Sequence, residues 1–146
     1  MKKLVLFLIC LAVVGCGGIA QHAPKEYDAS RKAFAIPAAG YGTVYIFRDG
    51  FAGREINTTL LIDGRVLGKN LGNTYLCADI PEGKHTITSH YVGYTSIDID
   101  VKQGHLYFIR DSVDVSFTRT DTVLTPVGEA EGKTAVRKCT LVESAM

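Results

Sequence analysis

The sequence has no tryptophan and only four histidines, and this scarcity bears first on metal chemistry. His22 lies far from the other three. His85 and His90 are an odd number of positions apart, so on one regular strand they would face opposite sides. No His or Cys pair has the spacing of a structural zinc site. We therefore predict no metal ligand in this chain.

Motifs for covalent and phosphate chemistry are also missing. No G-x-S-x-G sequence surrounds a serine, and no Gly-Lys-Ser/Thr follows the glycines near Phe51. Asp98 and Asp100 share one strand face and could act as paired carboxylates. Alternatively, they form the solvated side of an edge strand, where charge discourages strand addition. We predict no catalytic residue, no cofactor site and no enzymatic activity.

Neither sign of charge is in excess: 16 Lys and Arg stand against 15 Asp and Glu. Removal of residues 1–15 would take away Lys2 and Lys3 and no acid, so 14 basic residues would face 15 acidic ones. Nucleic-acid-binding proteins carry a basic surface that neutralises phosphates. This balance therefore predicts no nucleic-acid partner.

A long apolar run occurs only near the first residue. Met1-Lys2-Lys3 precedes Leu4–Val14 (LVLFLICLAVV), and Gly15 follows. A basic start, a short apolar stretch and a small residue are typical of a secretory signal peptide, predicted here over residues 1–15. The alternative is an uncleaved membrane anchor. It would need roughly 20 apolar residues, and this run is shorter even when it is extended to Ala20.

The order VVGC at residues 13–16 resembles a bacterial lipobox. The resemblance implies cleavage before Cys16 and acylation of Cys16 with fatty chains such as palmitate. Two or three such chains anchor a protein firmly in a membrane. Because Gly17 is not aspartate, enteric-type sorting would favour the outer membrane. We expect a lipid-anchored protein of the bacterial cell envelope that faces the periplasm.

Residues 16–40 are predicted to hold the lipidated cysteine and a flexible tether. Pro24, Pro37 and several alanines favour a tether. Tyr27–Phe34 could form one or two helical turns. A β-rich domain is expected over residues 41–146.

Strand periodicity dominates that domain. Ile97, Ile99 and Val101 alternate with polar residues, and turn residues recur about every ten positions. Asp63-Gly64 is a strong hairpin signal. We predict a mainly β fold, an antiparallel β-sandwich of about seven to eight short strands, with a short helix over 129–138 despite its internal glycine. The expected core positions are Val44, Ile46, Leu60, Ile62, Leu76, Ala78, Ile80, Ile97, Ile99, Val101, Phe108 and Leu124.

Two levels of resemblance support this fold. IPEGKHTITSHYVGYTSIDIDVKQG, residues 80–104, resembles the PEGA-type β-sandwich module, with its Pro-to-Gly turn, a strand, Gly-Tyr and another strand. With GTVYIFR at 42–48, LIDG at 61–64 and LYFIR at 106–110, the chain is similar to a bacterial lipoprotein family of unknown function over roughly residues 42–142. These motifs are turn glycines and strand residues, so they imply a fold and no particular activity.

Two cysteines remain after processing. Cys10 would leave with the signal peptide and Cys16 would carry lipid, so Cys77 and Cys139 would be left in an oxidising compartment. Alternation places Cys77 on the strand face opposite Leu76, and a C-terminal segment that crosses that face would bring Cys139 to it. We expect a disulfide between Cys77 and Cys139. The alternative is two free thiols.

Aromatic residues at two turns are the candidate binding residues. Phe51 lies in a Gly-rich loop over 49–55, and Tyr91 and Tyr94 flank Gly93. Aromatic side chains often anchor interfaces, so we expect these three to contact an envelope protein or a glycan. Alternatively, the tyrosines cap the core. The predicted function is a non-enzymatic binding or docking module. The alternative is a small extracytoplasmic enzyme or small-ligand-binding protein.

Overall fold

A computed structural model describes residues 20–146, which form nine strands and two helices. The elements, in chain order, are α1 Lys25–Arg31, β1 Tyr41–Arg48, β2 Thr58–Ile62, β3 Arg65–Asn70, β4 Thr74–Pro81, β5 Gly83–His90, β6 Tyr94–Val101, β7 Leu106–Val115, β8 Thr120–Val127, α2 Glu129–Lys138 and β9 Thr140–Leu141. The predicted C-terminal helix is confirmed with the same bounds. No helix in this range is long and apolar enough to cross a bilayer.

The strands form two sheets, which confirms the mainly β, sandwich-like fold. A five-stranded sheet has the order β8-β7-β1-β4-β9, and a four-stranded sheet has the order β3-β2-β5-β6. Most pairings are antiparallel, as expected. β7 however pairs with β1, and β9 with β4, in parallel, because the chain between each pair passes through other elements before it returns. The nine strands exceed the predicted seven to eight by including the two-residue β9.

The core between the sheets contains the residues that strand alternation predicted. The buried members are Val44, Ile46, Leu60, Ile62, Leu67, Leu76, Ile80, Ile87, Val101, Ile109, Leu124 and Val142, with Ala78, Ile97 and Ile99 packed against them. Phe108 is the exception. Its neighbour Ile109 faces this core, so Phe108 points to the opposite face of β7.

A second core lies on the outer face of the five-stranded sheet, beneath the two helices. Its aromatic members are Phe34, Tyr45, Phe47, Tyr75 and Phe108. The rings of Tyr45 and Phe108 stack at 5.1 Å between centroids, and Phe34 meets both edge-on. β1 is therefore buried on both faces, and every residue after Tyr41 is buried.

The segment expected to be a flexible tether is, over residues 20–40, part of this folded domain. The Ala23 N–H donates to the Leu141 carbonyl at 2.9 Å, and α1 begins directly after Pro24. The Asp28 carboxylate accepts hydrogen bonds from the Tyr75 hydroxyl at 2.8 Å and the Leu141 N–H at 3.2 Å. The boundary expected at residue 41 is therefore corrected, because these bonds fasten residues 20–34 to the sheet.

Candidate functional site

Both predicted contact segments lie at one end of the sandwich. β1 ends at Arg48, β2 begins at Thr58, and Thr59 of β2 pairs with His90 at the end of β5. The loop after β1 and the turn after β5 are therefore at the same end. We call it the loop end. Its loops span residues 49–57, 71–73, 91–93 and 116–119.

Large apolar side chains project into solvent from this end. Phe51 is 85% exposed, Tyr94 is 73% exposed and Phe117 is fully exposed. We call the set the loop-end surface, and its members are Phe51, Val92, Tyr94, Val115 and Phe117. Tyr91 lies beside it at 40% exposure. The two tyrosines therefore do not cap the core, which was the alternative interpretation.

Tight backbone contacts hold the loop that presents Phe51. Gly53 adopts φ +66°, and a Cβ there would lie 2.6 Å from Val113 on β7. A Cβ on Gly72 would overlap Arg54 at 2.7 Å. Only glycine allows these approaches, so the loop is pressed onto β7 on one side and the 71–73 loop on the other. The Arg54 guanidinium lies 5.7 Å from the centre of the Phe51 ring.

The turn after β5 is shaped by local contacts. The Tyr91 N–H donates to the Gly93 carbonyl at 3.2 Å, and the rings of His90 and Tyr94 stack at 4.2 Å. Residues 91–95 and 119–122 line an open depression of about 350 Å³. The turn thus lies against the β7–β8 hairpin, and the 49–57 loop contacts the same hairpin through Gly53.

A buried ion pair lies directly beneath the loop end. The Arg48 side chain is 1% exposed and the Asp111 side chain 0% exposed, and their closest N–O distance is 2.6 Å. Arg48 also donates to the carbonyls of Gly53 and Ile56 in the 49–57 loop. Arg48 is therefore an internal support for the loop that carries Phe51.

The Asp111 carboxylate connects the two sheets. Beside Arg48, it accepts hydrogen bonds from Thr58 at 2.7 Å, Asn70 at 3.0 Å and Ser89 at 2.9 Å. Arg48 and Asp111 belong to the five-stranded sheet, and the other three residues belong to the four-stranded sheet. No buried side-chain polar atom in the described part of the chain lacks a partner. Sequence reasoning missed this network, although a charged residue shortly after an apolar run in each of two strands, Arg48 in β1 and Asp111 in β7, is a signal for it.

A match to the sequence model of a protein family covers most of the strands. Residues 38–124, more than half of the chain, match the sequence model of a family described as "Protein of unknown function (DUF2846)". The chain belongs to the DUF2846 family. A relative named "Uncharacterized protein" from Haemophilus influenzae is 27% identical over 137 residues, which are 93% of this chain and 81% of the relative. No solved structure matches. The predicted similarity to a family of unknown function is confirmed, and its lipoprotein and PEGA-type aspects remain predictions.

The loop end lies wholly inside the DUF2846 match. Residues 38–124 include β1 to β7 and the first part of β8, all four loops of the loop end and every side chain of the Arg48–Asp111 network. The two helices and β9 lie outside it. The second core beneath the helices therefore combines DUF2846 strands with flanking segments.

The expected disulfide is not formed: Cys77 and Cys139 are buried, free thiols. Both lie in the second core, on the strand face that alternation predicted for Cys77. β9 however pairs with β4 in a register that puts Leu141 beside Tyr75. Cys139 is thus displaced from Cys77 by four residues, or about 13 Å along the strand, whereas a disulfide needs Cα atoms within about 7 Å. The register of β9 therefore corrects this prediction.

Neither thiol is set up as a nucleophile. Burial raises the pKa of Cys77, although the Arg31 guanidinium, which donates to its sulfur at 2.9 Å, opposes that shift. Burial also raises the pKa of Cys139 to about 11. Thiols with raised pKa values stay protonated at neutral pH and react slowly. Both cysteines therefore serve as packing groups in the second core.

The remaining polar candidates, Asp98 and Asp100, border one depression together with His85. Within residues 20–146, no three His, Cys, Asp or Glu side chains are grouped closely enough to hold a metal ion. Asp98 accepts a hydrogen bond from Thr86, and Asp100 pairs with Lys102 at 3.0 Å. Both lie exposed on β6, an edge strand. Cys16, the predicted lipidation site, lies outside the described residues.

Proposed function

We propose that this DUF2846 protein is a lipid-anchored envelope protein that binds a partner protein through the loop-end surface and catalyses no reaction. The observation that carries the proposal is the exposure of five large apolar side chains at one end of the fold. Every other large apolar side chain of β1, β4 and β7, Tyr41 apart, is at least partly buried. Contiguous exposed apolar patches on soluble domains commonly mark interaction sites.

A protein partner fits this surface better than a small ligand. Small-ligand sites are concave and enclose most of the ligand. Phe51 and Phe117 instead project outward, and the depression beside Tyr94 is lined mainly by polar atoms. Aromatic side chains on well-supported loops are typical hot spots of protein interfaces. The Arg48–Asp111 network and the Gly53 contact supply that support.

Membrane attachment is supported by the sequence around Cys16. The basic start, the short apolar run and VVGC together resemble a lipoprotein signal. A lipid anchor would confine the domain to one membrane and raise its effective concentration towards a partner there. Replacing Cys16 with serine should leave the protein unprocessed or release it from the membrane fraction.

In-cell photocrosslinking tests the binding proposal. A photoreactive residue in place of Phe117 should give a discrete adduct with one protein, identified by mass spectrometry. Ile36 is the matched control, since it is apolar and 84% exposed but lies near Gly104 at the other end of the sandwich. The proposal fails if Phe117 and Ile36 give the same adducts, or if neither Phe51 nor Phe117 gives one. An adduct with a glycan would replace the protein partner with a carbohydrate.

Substitution of the surface provides the second test. The triple change of Phe51, Tyr94 and Phe117 to alanine should weaken the crosslink from a probe at Val115. It should leave the unfolding midpoint nearly unchanged, because exposed side chains contribute little to stability. A large fall in the midpoint would show that these residues are structural. Substrate turnover by the purified protein that is lost when Asp98 is changed would contradict the non-enzymatic role.

A further inference from the structure

We infer that a second surface, on the side of the domain where residue 20 emerges, lies directly on the phospholipid headgroups of the membrane that holds the Cys16 lipid. The inference rests on the lipid anchor of the proposed function. It adds how the domain is seated and which face it turns to the bilayer. We call this face the anchor side, and its members are Tyr27, Arg65, Val66, Lys69 and Met146.

The segment between Cys16 and the folded domain is short. Ala23 donates to the Leu141 carbonyl of β9, and Gln21 accepts a hydrogen bond from the Glu143 N–H just after β9. Ala20 lies only four positions after Cys16, and four fully extended residue steps span at most about 14 Å. A lipid on Cys16 would therefore hold Ala20 within about 14 Å of the point where the fatty chains enter the bilayer.

The surface around Ala20 combines apolar, aromatic and basic side chains. Val66 and Lys69 border one depression together with Ala20, and Tyr27, Arg65 and Met146 border the next. Ser144 belongs to both depressions, so the surface is continuous. Val66, Met146 and Tyr27 are each about half exposed, at 48%, 48% and 51%. Half-exposed apolar and aromatic side chains beside long basic ones are typical of faces that lie in a membrane interface.

The basic side chains of the anchor side also favour contact with phospholipid headgroups. Neither Arg65 nor Lys69 has a carboxylate partner among the ion pairs of residues 20–146. The carboxylates on this side are Glu143 and Asp79, and Asp79 is occupied by Arg31 at 3.1 Å. The anchor side thus presents two cationic side chains without a carboxylate partner, Arg65 and Lys69, which an anionic phospholipid surface attracts.

The loop-end surface is a poorer match for the same membrane. Ala20 lies level with Ser144, four residues along from Thr140, which pairs with Thr74 at the start of β4. The loop end therefore begins about 13 Å from Ala20, and Phe51 and Phe117 extend beyond it. A segment of four residues would have to double back and extend fully to bring the lipid to that level. Seating on the anchor side leaves the loop-end surface free for its partner.

Fluorescence quenching in vesicles tests the inference, because the chain has no tryptophan of its own. The processed, full-length lipoprotein is reconstituted into vesicles of phosphatidylethanolamine and phosphatidylglycerol, with part of the lipid brominated near the headgroup end of the acyl chains. Val66→Trp should lose much of its emission to the bromines. Phe117→Trp, the matched control at the loop end, should keep its emission.

Equal quenching at both positions, or stronger quenching at Phe117→Trp, would overturn the inference. In the second case the loop-end surface would be the membrane-facing side. Co-sedimentation with the vesicles separates this failure from that of the proposed function. If the protein pellets with the vesicles and Val66→Trp stays bright, the anchor stands and the seating is wrong. If the protein does not pellet, the lipid anchor itself is wrong and the seating falls with it.

A longer linker separates the contribution of the surface from that of the short tether. About ten Gly and Ser residues inserted between Gly18 and Ile19 should leave Val66→Trp quenched, because the anchor side itself binds the headgroups. Arg65→Glu with Lys69→Glu in the same background should abolish the quenching. Loss of quenching on insertion alone would overturn the inference, since the tether would then be all that holds the domain near the lipid.

Discussion

Asp111 is a carboxylate without access to solvent, so its partners alone determine its effect on stability. Its four side-chain donors come from four strands in two sheets, and one of them is the equally buried guanidinium of Arg48. A fully satisfied buried network adds little stability compared with a well-packed apolar core. Removal of only one partner of the ion pair is costly, because the charge of the other partner then remains buried in a medium of low polarity. The network therefore specifies how the two sheets meet.

Replacing Asp111 with alanine should lower the free energy of unfolding by about 3–5 kcal/mol, because Arg48 would then be buried without a counter-charge. Urea denaturation followed by circular dichroism measures this loss. Asp114→Ala is the matched control on the same strand, since Asp114 is exposed and should change stability by no more than about 0.5 kcal/mol. A loss below about 1 kcal/mol for Asp111→Ala would contradict the role assigned to the network.

His85 is the residue for which the structure predicts a pH effect. Its Nδ1 lies 2.6 Å from an Asp63 carboxylate oxygen and its Nε2 lies 2.8 Å from the Pro81 carbonyl. Both partners are acceptors, so both ring nitrogens donate only when the imidazole is protonated. Burial alone would lower the pKa of His85, but the hydrogen bonds to Asp63 and Pro81 raise it overall.

Because the folded pKa of His85 is raised, its stabilising effect is fully present below the unfolded pKa of about 6.5 and is lost as pH rises through the folded pKa. The difference in unfolding free energy between the natural protein and His85→Ala should therefore be larger near pH 6 than near pH 9. Denaturant titrations at about these two pH values measure it. In an Asp63→Asn background the pH dependence of this difference should shrink. A difference that is the same at both pH values would rule out the charged pair.

At the scale of elements, α2 shows a conflict between helix propensity and packing. Its sequence carries Gly132 in mid-helix, where alanine is normally the better residue by about 1 kcal/mol. A Cβ at this position would lie only 2.2 Å from the Phe108 ring. Gly132 thus lets α2 lie directly on β7. The helix then covers the second core.

Gly132→Ala should therefore destabilise the protein by about 1–3 kcal/mol, because the methyl group would push α2 away from Phe108. Thermal unfolding measures the change. Thr134→Ala in the same helix is the control, since it raises helix propensity at a position away from the ring and should not lower the midpoint by much. An unfolding midpoint that rises for Gly132→Ala would show that α2 can shift without cost.

Local sequence patterns predicted the positions of the strands and turns better than they predicted which strands pair with each other. The alternation in Thr95–Val101 and the Asp63-Gly64 turn located β6 and the β2–β3 hairpin correctly. The parallel pairing of β7 with β1 could not be predicted, because it depends on where the chain returns after the four-stranded sheet. Of the nearly continuous apolar run TVYIFR, only Val44 and Ile46 were among the expected core positions. Such a run also indicates burial on both faces, which is what β1 shows.

At the scale of the molecule, three layers are present: helices, the five-stranded sheet and the four-stranded sheet. The sequence predicted the second interface between layers poorly, because α1 lies in a Pro- and Ala-containing segment that resembles a linker. Its binding to the sheet is mostly polar, through Asp28 and Arg31, and α1 itself has no fully buried residue. Phe51, Tyr91 and Tyr94 were predicted as contact residues because aromatic side chains often anchor interfaces. Phe117 was missed, and the convergence of these residues at one end required the topology.

The folding unit of this protein extends beyond the strands to residue 20. A variant that begins at residue 41, where strand periodicity begins, should be much less stable than one that begins at residue 20. It would lack Phe34, which is 8% exposed and touches Tyr45 and Phe108. Loss of a buried phenylalanine alone costs about 3–5 kcal/mol, and the Asp28 hydrogen bonds would go with it.

Urea denaturation of the two soluble variants measures this difference, and binding of a hydrophobic dye reports exposure of the aromatic cluster. The variant that begins at residue 41 should bind more dye and unfold at a lower urea concentration. Phe34→Ala in the longer variant is the control, and it should reproduce part of the loss with α1 still present. Equal unfolding midpoints for the two variants would mean that residues 20–40 only rest on the sandwich. The second core would then be stable without the chain segment that covers it.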